Sequence, residues 1–350
     1  MSLTEGVNKK YLAVLISTLT SLVLYTTFTS TWNKEAVEYD DTDRRHGQLN
    51  FKNCFNIIWD RKAFSDFIWN NTVENGENIL VYRGSSCNHF MKLLSPGGRI
   101  GNQLFQIAAL FGTSFEYDFI PIVEPSLPLL EYFDLPNVLK MKLKNSSICA
   151  PQLSAIFYNC SSNNTVLNMT IHGFFQSWKY FKNSAEIIRS IFKIKPKYMQ
   201  KAELFLDVYK KDGFKNICIH VRRQDMAKQI LARRGFAVAP INFIYKAIQF
   251  CEVNFKKALF FVISDDIQWC KKNIKRDVIF SNLKEPIHDL ALMTLCDHVV
   301  VTAGSFGWWG AWLSNGTAVY YNGYPSPGSQ LDLRFKREDY YPTEWIGLTL

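Results

Sequence analysis

The chain has 350 residues, 47% of them hydrophobic and 15% aromatic, which excludes a disordered protein and allows a large core or two domains of ordinary size. Its formal charge of +9 is spread along the sequence rather than gathered into one basic face. With no matching motif beside it, that charge makes nucleic acid an unexpected partner and an anionic small ligand a better one.

Residues 1–10 read as a short cytosolic tail. Tyr11 to Thr31 then runs uncharged for long enough to cross a bilayer core. Lys9 and Lys10 precede it, and Glu35, Glu38, Asp40, Asp41 and Asp43 follow it. Charge bias of this sign keeps the tail in the cytosol and places the rest of the chain in a lumen. A transmembrane signal-anchor at 11–31 is therefore expected, with a cleaved signal peptide as the competing reading. Either one puts the body of the chain in the secretory pathway. The signal-anchor makes it a single-pass type II membrane protein.

Glycosylation sequons agree with that placement. They occur at Asn70, Asn145, Asn159, Asn163, Asn168 and Asn315. None of the eight cysteines belongs to a C-x-x-C pair, so no zinc site is expected. Cys54, Cys87, Cys149 and Cys160 lie in polar stretches and are the disulfide candidates, with their pairing left open. Cys218 and Cys296 lie in apolar contexts that suit buried thiols.

Residues 32–88 read as a stem and lead-in. The stem contains Asp41-Thr42-Asp43, a D-x-D pattern that serves metal-dependent sugar transferases at the end of a core strand. Here it lies in a solvated stem, so no metal is assigned to it. Regular α/β pattern begins near His89. Phe90 to Leu94 reads as a strand, the loop Ser95 to Gln103 is rich in glycine, and Leu104, Phe105, Ala108, Ala109 and Phe111 recur at helical spacing. Phe119 to Val123 reads as the next strand. A glycine loop opening a helix offers free N–H groups to an anion, or is merely a tight connection.

Pro125 to Thr170 holds clustered sequons and reads as a glycosylated elaboration. Ile171 to Phe181 is dense in aromatic rings with Gln176, Ser177 and Lys179 between them. Such a segment makes either a wall for a sugar acceptor, through Gln176, Trp178 and Tyr180, or a core strand. Ser184 to Lys215 reads as helix, with Ile187, Ile188, Ile191, Leu204, Phe205 and Val208 on one side.

The second half alternates regularly. Strands are expected at 217–222, 258–263, 277–280, 297–302 and 317–321, with helices near 240–255, 266–274, 286–296 and 305–314. That pattern makes a parallel, doubly wound sheet. Four strand ends carry polar residues: Arg222-Arg223-Gln224-Asp225, Ser264-Asp265-Asp266, Ser281-Asn282 and Thr302-Ala303-Gly304-Ser305. Ligands of open α/β sheets sit at this carboxyl edge. Asp265 or Asp266 can accept from a guanine edge or ribose hydroxyls there, and each can equally be a helix cap. Arg222 and Arg223 alternate across the strand, so one can face a crevice while the other points back to the scaffold.

Five blocks in order, GGRIGNQLFQIAAL (97–110), GFFQSWKYF (173–181), HVRRQD (220–225), FVISDD (261–266) with its following WC, and HDLALMTLCDHVVVTAGSFGWWGAWL (288–313), resemble the α-1,2-fucosyltransferase family, glycosyltransferase family 11. The resemblance implies a GT-B architecture: an acceptor-side lobe over 89–215 facing a Rossmann-like GDP-fucose lobe over 216–350. It also implies inverting, metal-independent transfer of L-fucose from GDP-fucose to O2 of a terminal galactose, with no cofactor. By the same resemblance Arg222 holds the donor β-phosphate, with His220 and Arg223 supporting it, and Asn102 lies near the phosphates in a loop shaped by Arg99 and Gly101. Ser264, Asp265, Ser305 and Phe306 fall in blocks that meet the nucleotide. Gln224 and Met226 depart from the family's commoner Gly and Tyr, which leaves the geometry of this loop and the choice of acceptor open. Asp225 and Glu124 are the candidate proton acceptors, and a late proton loss to phosphate or water would need no strong base. The alternatives are a silent, membrane-tethered glycan-binding protein of the same fold, or an enzyme with an atypical galactose-containing acceptor.

Overall fold

The computed structural model describes residues 89–350 apart from 118, 139, 141, 144 and 161–167. The expected tail, membrane span and stem, with Asp41-Thr42-Asp43, Cys54, Cys87 and Asn70, lie outside the described residues, as does Asn163. Among the described residues no helix is long and apolar enough to cross a membrane.

In the second half, near-continuous apolar runs become strands because helices cover them on both faces. The strands are β5 (Lys215–Val221), β6 (Ala258–Ser264), β7 (Ile279–Phe280), β8 (His298–Val301), β9 (Thr317–Tyr321) and β10 (Ile346–Leu348). Every pair is parallel, and the spatial order is β10-β9-β8-β5-β6-β7. Counted within this sheet the order is 3-2-1-4-5-6, that of dinucleotide-binding folds, with the direction of winding reversing between β5 and β8. Ile217, Ile219 and Val221 of β5 pack under Phe243, Ile244 and Ala247, while Cys218 faces the other layer with Leu290, Val299 and Trp308.

The first sheet has four parallel strands in the order β2-β1-β4-β3: β1 (Phe90–Leu93), β2 (Ile120–Ile122), β3 (Ser146–Cys149) and β4 (Asn168–Ile171). Helix α1 (Ile100–Glu116) crosses from β1 to β2 and also packs on a helix of the second sheet. The intervening helices are α2 (Ala185–Ile191), α3 (Pro196–Tyr209), α4 (Gln229–Arg234), α5 (Ile241–Asn254), α6 (Ile267–Asn273), α7 (Pro286–Leu295), α8 (Ser305–Ser314) and α9 (Arg337–Tyr340).

Aromatic packing joins α1 to α8. Phe105 lies 4.5 Å from Trp308 and 5.1 Å from Trp309 between ring centroids, and Phe181 stacks on Trp309 at 5.5 Å. All four rings are fully buried. Truncating one such ring costs about 3–5 kcal/mol, so this cluster fixes how the two helices meet.

Several sequence expectations are corrected. The single helix expected over 184–215 is two, because Pro196 starts a new helix at its first position, where no N–H is needed. In α3 the buried face is Tyr198, Ala202, Phe205 and Leu206, whereas Leu204 and Val208 are exposed. The short helix α4 and the sixth strand β10 carry too few residues to show a period. The aromatic run 171–181 does not continue as a strand: β4 stops at Ile171 and the chain turns through Gly173 and Phe175, both at positive φ.

Among the described residues a disulfide joins Cys149 to Cys160. Cys218, Cys251, Cys270 and Cys296 are buried free thiols. Of the sequons, Asn145, Asn159 and Asn315 are exposed, while Asn168 opens β4 and its Oδ1 accepts the Phe90 N–H at 3.2 Å.

Candidate active site

The reversal between β5 and β8 opens a crevice at their carboxyl ends. Arg222 leaves β5 at that point, and its backbone N–H donates to the Thr302 hydroxyl beyond β8 at 2.8 Å. Its guanidinium spans two carboxylates, Asp265 Oδ2 at 2.6 Å and Asp225 Oδ2 at 2.5 Å. Arg99, largely exposed at the start of α1, reaches the same Asp225 oxygen at 3.4 Å. Arg223 turns to the other side. It lies 3.7 Å over the Trp269 ring and 3.9 Å from Asp266, a stack worth roughly 0.5–2 kcal/mol.

Asp265 is thus occupied on both oxygens. Its Oδ1 accepts the Arg223 backbone N–H at 2.8 Å while Oδ2 holds Arg222. Asp266 caps α6 through the Trp269 N–H. Ser264 donates to the Val221 carbonyl at 2.7 Å and accepts the Asp266 N–H at 2.9 Å. These three residues build the socket of the arginine pair. Of the two readings open for this pair, a ligand contact or a helix cap, Asp266 takes the cap, and Asp265 is held by Arg222 and the Arg223 N–H.

The second wall is made by two helix starts. Neither α1 nor α8 has a side-chain cap on its first turn. A Cβ placed on Gly101 would lie 2.6 Å from the Phe306 nitrogen and 2.6 Å from the Ser305 carbonyl carbon, so only glycine allows the approach. Asn102 Oδ1 bridges the gap, accepting from Ser305 Oγ at 2.7 Å and from Gln176 Nε2 at 2.8 Å. Two N-termini side by side concentrate N–H groups and positive dipole ends on one small volume, which suits an anion.

His220 sits behind this wall, its ring centroid 5.5 Å from that of Phe306. Burial, and then the nearby Arg222 charge, push its imidazole down to about 3, so it is neutral. Its Nδ1 is buried with no hydrogen-bond partner and would lie 2.3 Å from a Cβ on Gly307. Asp225 Oδ1 is likewise buried and unpartnered. Glu124, by contrast, is held by Lys92 at 3.1 Å.

The aromatic segment divides in three. Gln176 joins the Asn102 cluster. Trp178 donates its indole N–H to the Glu338 carbonyl at 3.1 Å. Tyr180 is buried, its hydroxyl accepting the Tyr158 N–H at 3.0 Å while its ring packs on Phe157 and Phe175. With Phe157, Tyr158 and Lys179 it lines a cavity of about 220 Å³ whose lining includes neither Gln176 nor Trp178. An open cleft of about 750 Å³ lies beside Arg223, lined in part by Met226, Phe236, Val238 and Tyr321.

Thr302, Trp269 and Gly307 carry weight here that the sequence reading did not assign. The hydroxyl beyond β8, in register with the end of β5, was the one legible signal among them.

A family model described as glycosyl transferase family 11 matches residues 85–349. The chain belongs to that family. A galactoside alpha-(1,2)-fucosyltransferase 2 of Oryctolagus cuniculus is 26% identical over 302 residues, covering 77% of this chain and 80% of that protein. A galactoside 2-alpha-L-fucosyltransferase SEC1 of Bos taurus is 31% identical over 188 residues, so the matched stretch spans about half of each chain, 49% in both cases. Among solved structures, a mutant of Arabidopsis thaliana FUT1 in complex with GDP aligns over 78% of both chains with 10% identity and a TM-score of 0.49. The matched stretch of family 11 contains both sheets and every side chain of the crevice described above.

Proposed function

We propose that this family 11 chain transfers L-fucose from GDP-fucose to O2 of a terminal galactose, by a single inverting displacement and without a divalent ion. The carrying observation is the position of Arg222. Its forked cation stands at the reversal point of a 3-2-1-4-5-6 sheet, opposite two uncapped helix N-termini.

As the bond from fucose C1 to the β-phosphate oxygen breaks, negative charge grows on the departing GDP and the sugar ring becomes oxocarbenium-like. Arg222 and the N–H groups opening α1 and α8 stabilise that charge from fixed positions, the kind of preorganisation that dominates many rate enhancements. Asn102 holds the two helix starts together. In the free enzyme Asp225 and Asp265 balance Arg222, and the diphosphate joins a site whose arginines are already oriented.

The galactose hydroxyl attacks from the face opposite the leaving group. Asp225 takes its proton: Oδ2 is anchored by two arginines while Oδ1 lacks a partner, whereas Glu124 is held by Lys92. The catalytic lobes lie in the Golgi lumen behind a signal-anchor at 11–31. The Cys149–Cys160 disulfide and the exposed sequons at Asn145, Asn159 and Asn315 support that placement. GDP-fucose and galactose-terminated glycans are the partners, and no cofactor is used.

The test is incubation of the full chain with GDP-fucose and a panel of terminal galactosides in excess EDTA. Fucosylated product with an α-1,2 linkage, identified by NMR, is expected. GDP binding without transfer to any galactoside would remove the proposed reaction, and loss of transfer on chelation would remove the metal-free mechanism.

A further inference from the structure

Cys218 lies in the middle of β5, and Cys296 follows the last residue of α7. Their sulfur atoms are 2.9 Å apart, and both residues are buried, at 0% and 3% exposure. That separation is shorter than two non-bonded sulfur atoms keep, and less than an ångström longer than a disulfide bond of about 2.05 Å. The other two buried thiols, Cys251 and Cys270, belong to the core on the opposite face of the same sheet and do not compete for either sulfur.

We propose that Cys218 and Cys296 are joined by a further disulfide in the mature protein. The proposal rests on the luminal placement given above, because only an oxidising compartment supplies the chemistry. Each thiol loses its proton and one electron, and an S–S bond forms between the two sulfurs. The two electrons and two protons pass to a disulfide-bearing oxidant, which leaves as two thiols. Exchange requires a thiolate, and burial with Cys296 alongside pushes the Cys218 thiol well above its ordinary range. The bond therefore forms while β5 is docking on α7, before the layer closes over it, and is afterwards out of reach of external thiols.

The bond completes a series of ties along the strands that flank the crevice. At the entry to β5, Asn216 donates its N–H to the Asp297 carboxylate at 2.8 Å, and Asp297 donates its own N–H to the Asn216 carbonyl at 2.8 Å. At the exit, Arg222 N–H is bound to Thr302. The Cys218–Cys296 bond lies beside the entry tie, one residue before Asp297, and closes a loop holding β6 and β7. It fixes the register of the two strands whose ends carry Arg222 and Thr302.

The full chain, made in the secretory pathway of cultured eukaryotic cells, is denatured without reductant, alkylated with iodoacetamide and digested for mass spectrometry. A peptide linking Cys218 to Cys296 is expected, two hydrogen atoms lighter than the sum of its parts and lost on reduction, while Cys251 and Cys270 carry the alkyl label. In Cys218→Val, Cys296 should become labelled under the same conditions. Labelling of Cys218 and Cys296 in the parent chain, with Cys149 and Cys160 still linked, overturns the bond alone. Labelling of all four overturns it together with the luminal placement. Neither outcome bears on fucose transfer, which is read separately as product.

Discussion

Under the proposed mechanism the chemistry turns on Arg222, and its neighbours define what a substitution must remove. A lysine at 222 keeps one positive charge but cannot reach Asp225 and Asp265 together, because an ammonium is a point donor and not a planar fork. Arg222→Lys should therefore lower kcat by about a hundredfold or more, in the range seen when one preorganised donor to a developing anion is lost. Folding, followed by secretion and melting temperature, should stay near that of the parent. Retention of more than a tenth of the parent kcat would show that the fork is not what stabilises the leaving group. Asp225→Asn isolates the proton step. The amide oxygen still accepts from an arginine, but the group no longer takes a proton. Transfer should fall by about 10²–10⁴, while GDP binding measured by calorimetry changes little. Equal losses of transfer and of GDP affinity would instead make Asp225 a strut for Arg222.

At the scale of elements, the site depends on two helices starting at one place. Gly101→Ala puts a methyl group 2.6 Å from the Phe306 nitrogen, and backbone on that side cannot swing away as a side chain would. Overpacking of this kind costs about 1–3 kcal/mol and here separates α1 from α8. A lower melting temperature and weaker GDP binding should appear together; a variant with parental values of both would show that the helix starts have room to move. The glycine loop was readable as an anion-binding candidate and the TAGS turn as a polar strand end, since strand, glycine and helix follow one another in sequence. Their meeting through Asn102, Ser305 and Gln176 was not readable, because it joins positions about 70 and 200 residues apart. The strands 258–263 and 317–321 were legible for a related reason: strands covered on both faces are written as apolar runs. The Asp265 partners were not legible, because a carboxylate at a strand end reads alike whether it meets a ligand or a neighbouring guanidinium. Tyr180 was open between wall and core because aromatic rings in either have the same spelling.

Across the whole molecule, stability reflects two buried groups whose ionisation opposes folding in opposite pH directions. Asp289, in the first turn of α7, accepts the Ser281 hydroxyl at 2.8 Å, yet burial raises its carboxyl from 3.8 to about 7. The folded state then holds a proton that the unfolded state has released, so this contribution is fully present below about pH 4 and is lost as pH rises through 7. His220 runs the other way. Lowered from 6.5 to about 3, it stabilises the fold above pH 6.5, and that contribution is lost as pH falls through 3. Between about pH 4 and 6.5 the two slopes partly cancel, and from 6.5 to 7 the aspartate acts alone. Asp289→Asn keeps an acceptor for Ser281 Oγ and abolishes the ionisation. Its urea midpoint, relative to the parent, should rise more at pH 7.5 than at pH 5, and the rising limb due to His220, with His288 and His298 that burial also lowers, should then emerge uncompensated below neutrality. If parent and variant midpoints stay parallel across that interval, the carboxyl is already ionised in the folded protein and the buried proton assigned to it does not exist.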